Sequence, residues 1–432
     1  AVIETSSNIN VDAWGGVKKT ITYSIINPRP GAKLTAKSET SWIRDIVVGD
    51  GEVTFSKTFN FNGSSRTGKI VLEYENAEPV TVTVTQNAWS GGPVSSLGVS
   101  ESANCYIVTK PGVYKMPAVK GNDKSQKVSA ASVEVLWETR SDANVRVGDI
   151  VNLTGYDNGN IYFNVKGKTS STVPEGNALI AAKDASGNIL WSWHIWVTSV
   201  MPKDQVYKNG AGTMMECDLG AACVESDAYP WSSGLYYQYG RKDPFWGDHS
   251  CTLDGWKKVE SDATTGNMSY ADAHPTTFLC STRHWLYNAE TGLWRRNKSI
   301  SDPCPPGYVV PDGGQYGVWA RASGTTESTG YKDCSSYFVD NGSGSDLEFR
   351  SSGECYYRPN GYIECETGYL SIKKLDSSYW SLTSFSTSFY KYVYVYNIDI
   401  YNGSTGLRYA ARPTSNTNLL GEGNLVRCMK KQ

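Results

Sequence analysis

The sequence predicts a mainly β, multi-domain protein in which two β-sandwiches are followed by a third, cysteine-rich domain. Three observations predict this. Aromatic residues make up 12% of the chain, with 28 Tyr and 14 Trp, while short apolar runs alternate at period two and almost none repeat with a helical period. A length of 432 residues exceeds one hydrophobic core, and at about 150 residues per domain it suggests roughly three. The ten cysteines are also uneven, because all but Cys105 lie from Cys217 onward.

Charge narrows the classes of partner. Lys plus Arg total 41 against 43 Asp plus Glu, a formal charge of −2, so no counterion-release term favours nucleic acid or an anionic bilayer. No run of 18 apolar residues is present, and the chain does not open on a charged, apolar and small-residue leader. It reads as a mature or trimmed chain with no direct membrane insertion, apart from a removed lipoprotein anchor. Crowded cysteines without a CxxC pair, and only four histidines, scattered, fit disulfides in an oxidising compartment better than zinc. No cofactor is expected.

Residues 1–88 carry the runs KKTITYSII, SWIRDIVV, VTFSKTFNF, TGKIVLEYE and VTVTVTQNA, which read as strands of a sandwich. In the last, Val80, Val82 and Val84 share one face and Thr81, Thr83 and Thr85 the other, as a half-solvated strand requires. Ser41-Trp42-Ile43, the segment FNFNGSSRTGKIVL with Asn62, Arg66 and Gly68, and the closing Gln86 together resemble a BACON domain, an immunoglobulin-like module of Bacteroidetes surface proteins. The resemblance implies carbohydrate binding. Trp42 lies inside an apolar strand pattern, however, which points to a core residue and a spacer role.

The Gly-, Ser- and Pro-rich stretch NAWSGGPVSSLGVS reads as a linker. Residues 98–203 then carry NCYIVT, ASVEVLWET, DIVNLTGY, NIYFNV, NALIAA and ILWSWHIWVT, with hairpin chemistry at Asp157-Asn158-Gly159-Asn160 and Asp184-Ala185-Ser186-Gly187. A second sandwich follows. The segment GNALIAAKDASGNILWSWHIWVT resembles fimbrillin-type Bacteroidetes surface proteins. Trp191, Trp193 and Ile195 share one face of its last strand, and Ser192, His194 and Trp196 the other. His194 has no nucleophile in a recognisable elbow beside it, so it reads as a packed histidine. Cys105 is either a buried thiol or the partner of a cysteine in the third domain.

Residues 204–432 are rich in Gly, Tyr, Trp and Ser, with long irregular stretches that disulfides must order. Four segments recur here in order: WSSGLYYQYGRKDPF, DPCPPGYVVP, YWSLTS and LVRCMK. Together they resemble the Fibrobacter succinogenes major paralogous domain, whose architecture is similar to C-type lectin-like folds. The resemblance implies an α+β domain that displays loops for adhesion. On that reading Pro303, Pro305 and Pro306 hold Cys304 in a stiff loop, with Cys428 in a closing strand as its partner. Cys355 and Cys365 flank YYRPNGYIE and face each other across a hairpin, while Cys217 with Cys223 and Cys251 with Cys280 close further loops.

Tyr236, Tyr237, Trp246, Tyr357, Tyr362 and Tyr379 are the candidate ligand-binding rings, as aromatics beside loop motifs. Tyr390, Tyr392, Tyr394 and Tyr396 fall on one face of a strand, suited either to sugar stacking or to a solvent face. The Glu-Pro-Asn and Trp-Asn-Asp signatures of calcium-dependent lectins are missing, and Arg358-Pro359-Asn360 cannot ligate a cation. No metal site is expected.

Three functions compete. The first is an extracellular, outer-membrane-attached adhesin or carbohydrate-binding protein, partnered by an extracellular glycan or a host or mucin surface. The second is a fimbrial tip or accessory subunit whose partner is another pilus subunit, with donor-strand exchange as the expected mode. The third is a glycan-active enzyme, which needs paired carboxylates about 5 to 9.5 Å apart, or a relative of formylglycine-generating oxidases, which needs reduced thiols. No residue pattern supplies such a centre, so the chain reads as non-enzymatic.

Overall fold

A computed structural model describes the chain apart from residues 16–17, 61–62, 91, 141–143, 208–209, 223–232, 283, 289–291, 314–316, 319–320, 322–361, 365, 368, 372–375, 387–392, 403–408, 413–416 and 419–420. The described residues are almost wholly β. The expected α+β character of the third domain rests, among them, on the six-residue helix α1 (Met268–Ala273), capped by the Asn267 side chain accepting from the Tyr270 N–H, and on helical backbone at Val318 and Arg321.

The first unit is a sandwich of two four-stranded sheets. One is ordered β1 (Val2–Thr5), β3 (Lys19–Ile26), β6 (Glu52–Lys57), β5 (Ile43–Val48). The other is β2 (Asn8–Val11), β8 (Val80–Gln86), β7 (Arg66–Glu73), β4 (Thr35–Lys37). Val82 and Val84 are fully buried, and Trp42 joins Ile43, Val53, Phe55, Ile70 and Leu72 in the core. The Arg66 guanidinium lies 4.8 Å from the Trp42 ring centroid. Gly68 is glycine for a local reason, since a Cβ there would meet Trp42 at 2.9 Å and Ile43 at 2.8 Å. Gln86, on the inward face of β8, accepts from Arg66 Nε at 2.9 Å and donates to the carbonyls of Ala13 and Thr58. Arg66 and Gln86 thus close one end of the sandwich with a satisfied polar network.

The linker is partly structured. Its β9 (Val94–Ser96) pairs in parallel with β11 (Gly112–Pro117), at the edge of a sheet continued by β16 (Asn160–Val165) and β15 (Val151–Asp157). Trp14 packs edge-on against Trp89 of the linker at 4.6 Å and against Phe59 at 4.9 Å, and Phe59 reaches Tyr162 of the second sandwich at 6.3 Å. Gly155 admits this contact, because a Cβ there would lie 1.7 Å from the Phe59 ring.

The facing sheet of the second sandwich runs β10 (Cys105–Val108), β18 (Ile189–Val197), β17 (Gly176–Lys183), β14 (Ser132–Arg140), with a small hairpin β12 (Val119–Lys120)–β13 (Asp123–Lys127) beside it. Asn158 and Gly159 adopt φ of 47° and 75° in the β15–β16 turn, and Gly187 has φ of 87° in the β17–β18 turn. Trp191, Trp193, Ile195 and Val197 fill the sandwich core. The other face of β18 is equally buried, and there the third domain packs.

Cys105, Trp137, Leu179 and Trp196 belong to one core with Tyr237, Trp246, Trp285 and Trp380, so the second and third units share their interior. The third unit also supplies a fifth strand, Ser250–Cys251, antiparallel to β14. Several polar groups at this seam are paired. Lys242 Nζ donates to Asp243 at 2.6 Å and to Ser192 Oγ at 2.6 Å, over the Trp191 ring at 4.4 Å. Asn104 Nδ2 bonds to the carbonyls of Ile300 and Asp302, and Trp196 Nε1 to that of Ala221.

Within the third unit the four recurring segments converge. Tyr236–Gln238 pairs with Gly423–Leu425, which also pairs with the strand carrying Tyr379 and Trp380. Tyr308–Val309 pairs with Met429–Lys430, beside the disulfide Cys304–Cys428. Asp302 holds the proline loop by accepting from the Cys304 and Val310 N–H groups and from Lys298 Nζ. Asp218 accepts from Arg427 Nε at 2.8 Å and from the Tyr379 hydroxyl at 3.0 Å.

Cys105 is a buried thiol, and Cys251 and Cys280 also carry free thiols, so the expected Cys251–Cys280 bridge is absent. They sit on separate strands, Cys251 on the short strand paired with β14 and Cys280 at the end of Thr277–Cys280, which pairs with Lys257–Glu260. The Cys355–Cys365 pairing lies outside the described residues, as does Cys223.

Two predictions follow from buried groups. Replacing Cys304 and Cys428 by Ala removes a crosslink spanning 124 residues, and chemical denaturation should show a loss of about 2–5 kcal/mol. The second concerns pH. His194, buried and donating Nε2–H to Asn177 at 2.8 Å, is pushed down to about 3 by burial. Its neutral form stabilises the fold above pH 6.5, and that stability is lost as pH falls toward 3. Asp272 is pushed up to about 6, chiefly by burial, so its contribution runs the other way and stability is gained as pH falls from about 6 to 4. Each is worth at most about 3 kcal/mol between pH 6.5 and 4, and in the native chain they offset. Relative to it, His194→Gln should gain stability over that interval and Asp272→Asn should lose it.

Candidate functional site

The aromatic site expected from the sequence is corrected by burial. Tyr236, Tyr237, Trp246 and Tyr379 are all at most 4% exposed. Tyr236 and Tyr237 lie in a strand paired on one side to Gly423–Leu425, Trp246 packs edge-on to Trp256 and against Trp137, and Tyr379 is bonded to Asp218. None of these four presents a ring to a ligand. Tyr362 lies in a short strand whose partner is Leu370–Ser371, and Tyr357 falls outside the described residues. Tyr390 and Tyr392 also fall outside them, while Tyr394 and Tyr396 lie on the strand Val393–Asn402. The exposed aromatics among the described residues are Tyr287 and Tyr369, the latter under the Lys258 ammonium.

A groove of about 340 Å³ opens elsewhere on the third unit. Its floor is Val309 and Met429, one from each of the paired strands Tyr308–Val309 and Met429–Lys430 that flank the disulfide. The walls come from the turn carrying Arg296 and Asn297, from Asp312 and Arg321, and from Lys431. Lys298, one residue beyond Asn297, has φ of 46° and turns inward to donate to Asp302 and to the carbonyls of Cys304 and Tyr308. That inward cation fixes the turn and leaves Arg296 facing out.

Asp312 organises the walls. Its carboxylate is 7% exposed, accepts from the Val318 N–H at 2.9 Å and is bridged by both Arg321, at 3.0 Å, and Arg296. Arg321 also donates to the Ala211 carbonyl at 2.7 Å. Arg296 remains 67% exposed. On the far wall Lys431 pairs with Glu101 of the second unit. Burial raises the Glu101 carboxyl, but Lys431 and the Gly307 N–H outweigh it and leave it below the usual carboxylate range.

The described lining residues are guanidinium, ammonium, amide and carboxylate groups around two apolar side chains, which suits them to bind a polar ligand. Among the described residues no cluster of His, Cys, Asp and Glu is arranged to hold a metal, and no helix is long and apolar enough to cross a membrane. A second concavity, of about 380 Å³, lies on the outer face of the β4–β7–β8 sheet and is lined by Lys37, Thr67, Lys69 and Thr83 without an aromatic ring. Sequence reasoning missed the groove because its residues come from distant segments. The signal was nevertheless present as two short basic runs, WRRNK at 294–298 and RCMKK at 427–431.

No family model matches the sequence, and no curated protein matches it. Among solved structures, a Bacteroides ovatus GH5 xyloglucanase in complex with a heptasaccharide is similar at 18% identity and a TM-score of 0.18 over 29% of this chain, which spans 30% of that one. SporoSAG from Toxoplasma gondii is similar at 10% identity and a TM-score of 0.19, over 46% of this chain and all of that one. The adhesin InvE of Yersinia pseudotuberculosis is similar at 15% identity and a TM-score of 0.16, over 50% of this chain and 67% of that one. Overlap at this level leaves the functional reading to the residues of this chain.

Burial of the aromatic cluster makes a direct prediction. Trp246→Ala should cost about 3–5 kcal/mol of stability in chemical denaturation, as a core truncation does. An exposed contact residue would cost less than about 0.5 kcal/mol.

Proposed function

We propose that the chain is a non-enzymatic adhesin or carbohydrate-binding protein of a Bacteroidetes cell surface. In this reading the first unit is an immunoglobulin-like spacer, and the C-type lectin-like third unit is the ligand-binding tip. The observation that carries the proposal is the groove over Val309 and Met429, whose described residues offer guanidinium, ammonium and amide donors above an apolar floor. Saccharides are bound by such mixed surfaces, with hydroxyls taken by donors and CH faces by apolar atoms. The Cys304–Cys428 disulfide supports an oxidising, extracellular setting.

A fimbrial subunit needs an open sheet edge for a partner's strand. At the β14 edge that place is taken by Ser250–Cys251 of the same chain, and at the β11 edge by the linker strand β9. Those two edges are closed within the chain, while β10 and β15 remain end strands, so the groove and not edge pairing ranks the binding tip first.

The test is the full chain on an array of glycans and mucins, alongside its Arg296→Ala variant. Selective binding that the variant loses is the expected result. Binding to no glycan or mucin, with pilus subunits captured instead, would overturn the reading.

A further inference from the structure

We infer that the groove selects saccharides bearing an anionic group, a carboxylate or a sulfate, seated on Arg296; the inference rests on the binding function just proposed. Charge is the first reason. Among the described side chains, Arg296, Arg321 and Lys431 face Asp312 and Glu101, three cationic side chains against two carboxylate side chains. Lys431 is spent on Glu101, and Arg321 on Asp312 and the Ala211 carbonyl. Arg296 spends one nitrogen on Asp312 and stays 67% exposed, so the excess charge of the groove is concentrated on its outward edge.

Geometry is the second reason. Asp312 is held by the Val318 N–H and by Arg321, and it fixes the inner nitrogen of Arg296. The guanidinium is therefore aimed before any ligand arrives, which lowers the entropic cost of ordering a long side chain. A planar fork with two free N–H groups matches a carboxylate or a sulfate with two parallel bonds, whereas a neutral hydroxyl can use only one. Shape is the third reason. Val309 and Met429 give the CH face of a sugar ring an apolar seat, Asn297 adds an amide at the rim, and about 340 Å³ is at the small end of ligand sites. A terminal acidic sugar fits this space better than an internal segment of a polymer.

The experiment measures binding of the full chain to three matched pairs of oligosaccharide, by calorimetry at low and high salt. The pairs are sialylated and desialylated, sulfated and unsulfated, and uronate and its reduced alcohol. At least one anionic member should bind about tenfold or more tightly than its neutral counterpart, with the advantage shrinking as salt rises. The sialyl and uronyl arms report a carboxylate and the sulfated arm a sulfate. Arg296→Ala should remove the advantage while leaving the melting temperature unchanged, Arg296→Lys should restore part of it, and Lys33→Ala, at an exposed position of the first sandwich, should change nothing. Equal binding of charged and neutral members, lost in Arg296→Ala, would overturn the anion preference and leave the adhesin reading standing. Anion-selective binding that survives Arg296→Ala would overturn the placement in this groove. Binding to none of the six would overturn both readings.

Discussion

The β17–β18 pair has no solvent face, and much else in the molecule depends on that. One side of β18 carries Trp191, Trp193 and Ile195 into the second sandwich, and the other carries Ser192, His194 and Trp196 into a core shared with the third unit. In a sheet covered on both faces, each buried polar group is costly unless it finds a partner within the protein. Ser192 therefore meets Lys242 and Asp243, His194 meets Asn177, and Asn177 in turn donates to the Gly220 carbonyl. The pairing of Lys242 with Asp243 is a condition of burying either, since a lone charge at this depth would cost several kcal/mol, on the order of the whole stability margin.

From that wall outward, the third unit is ordered by buried ions as much as by apolar contact. Lys298–Asp302 sets the proline loop, Arg427–Asp218 sets the closing segment, and Arg241 donates to Gln238 and the Thr277 carbonyl with no exposed surface. Each ties a loop to a strand where short sheets alone give few ladder bonds. The disulfide adds a covalent tie between two of those loops. The groove inherits this rigidity, because its floor strands run from both half-cystines and its turn is pinned by Lys298.

Local patterns in the sequence were legible because local physics wrote them. The alternation of Val82 and Val84 with Thr81 and Thr83 survives as buried and solvent-facing sides of β8, and Asn158-Gly159 turns where positive φ was demanded. Cys304–Cys428 was legible through the segments around it. The shared core was not read, although NALIAA and ILWSWHIWV are apolar on both faces, which is what a doubly covered strand looks like. Tyr236, Tyr237 and Tyr379 failed as ligand contacts because a ring beside a loop motif says nothing about which strand will cover it. Arg296, Asp312, Arg321 and Lys431 are joined only by the tertiary fold, so no spacing in the sequence marks them as one set.

The parallel pairing of β9 with β11 has a mechanical meaning for any force that draws the first sandwich away from the second. A pull directed along β9 would load the bonds from Val94 to Ser96 together instead of parting them in succession. Trp14, packed edge-on against Trp89, adds an apolar contact just before that strand in the chain. Tension in that direction meets the joint between the first two sandwiches in shear, the orientation in which few hydrogen bonds hold the most force.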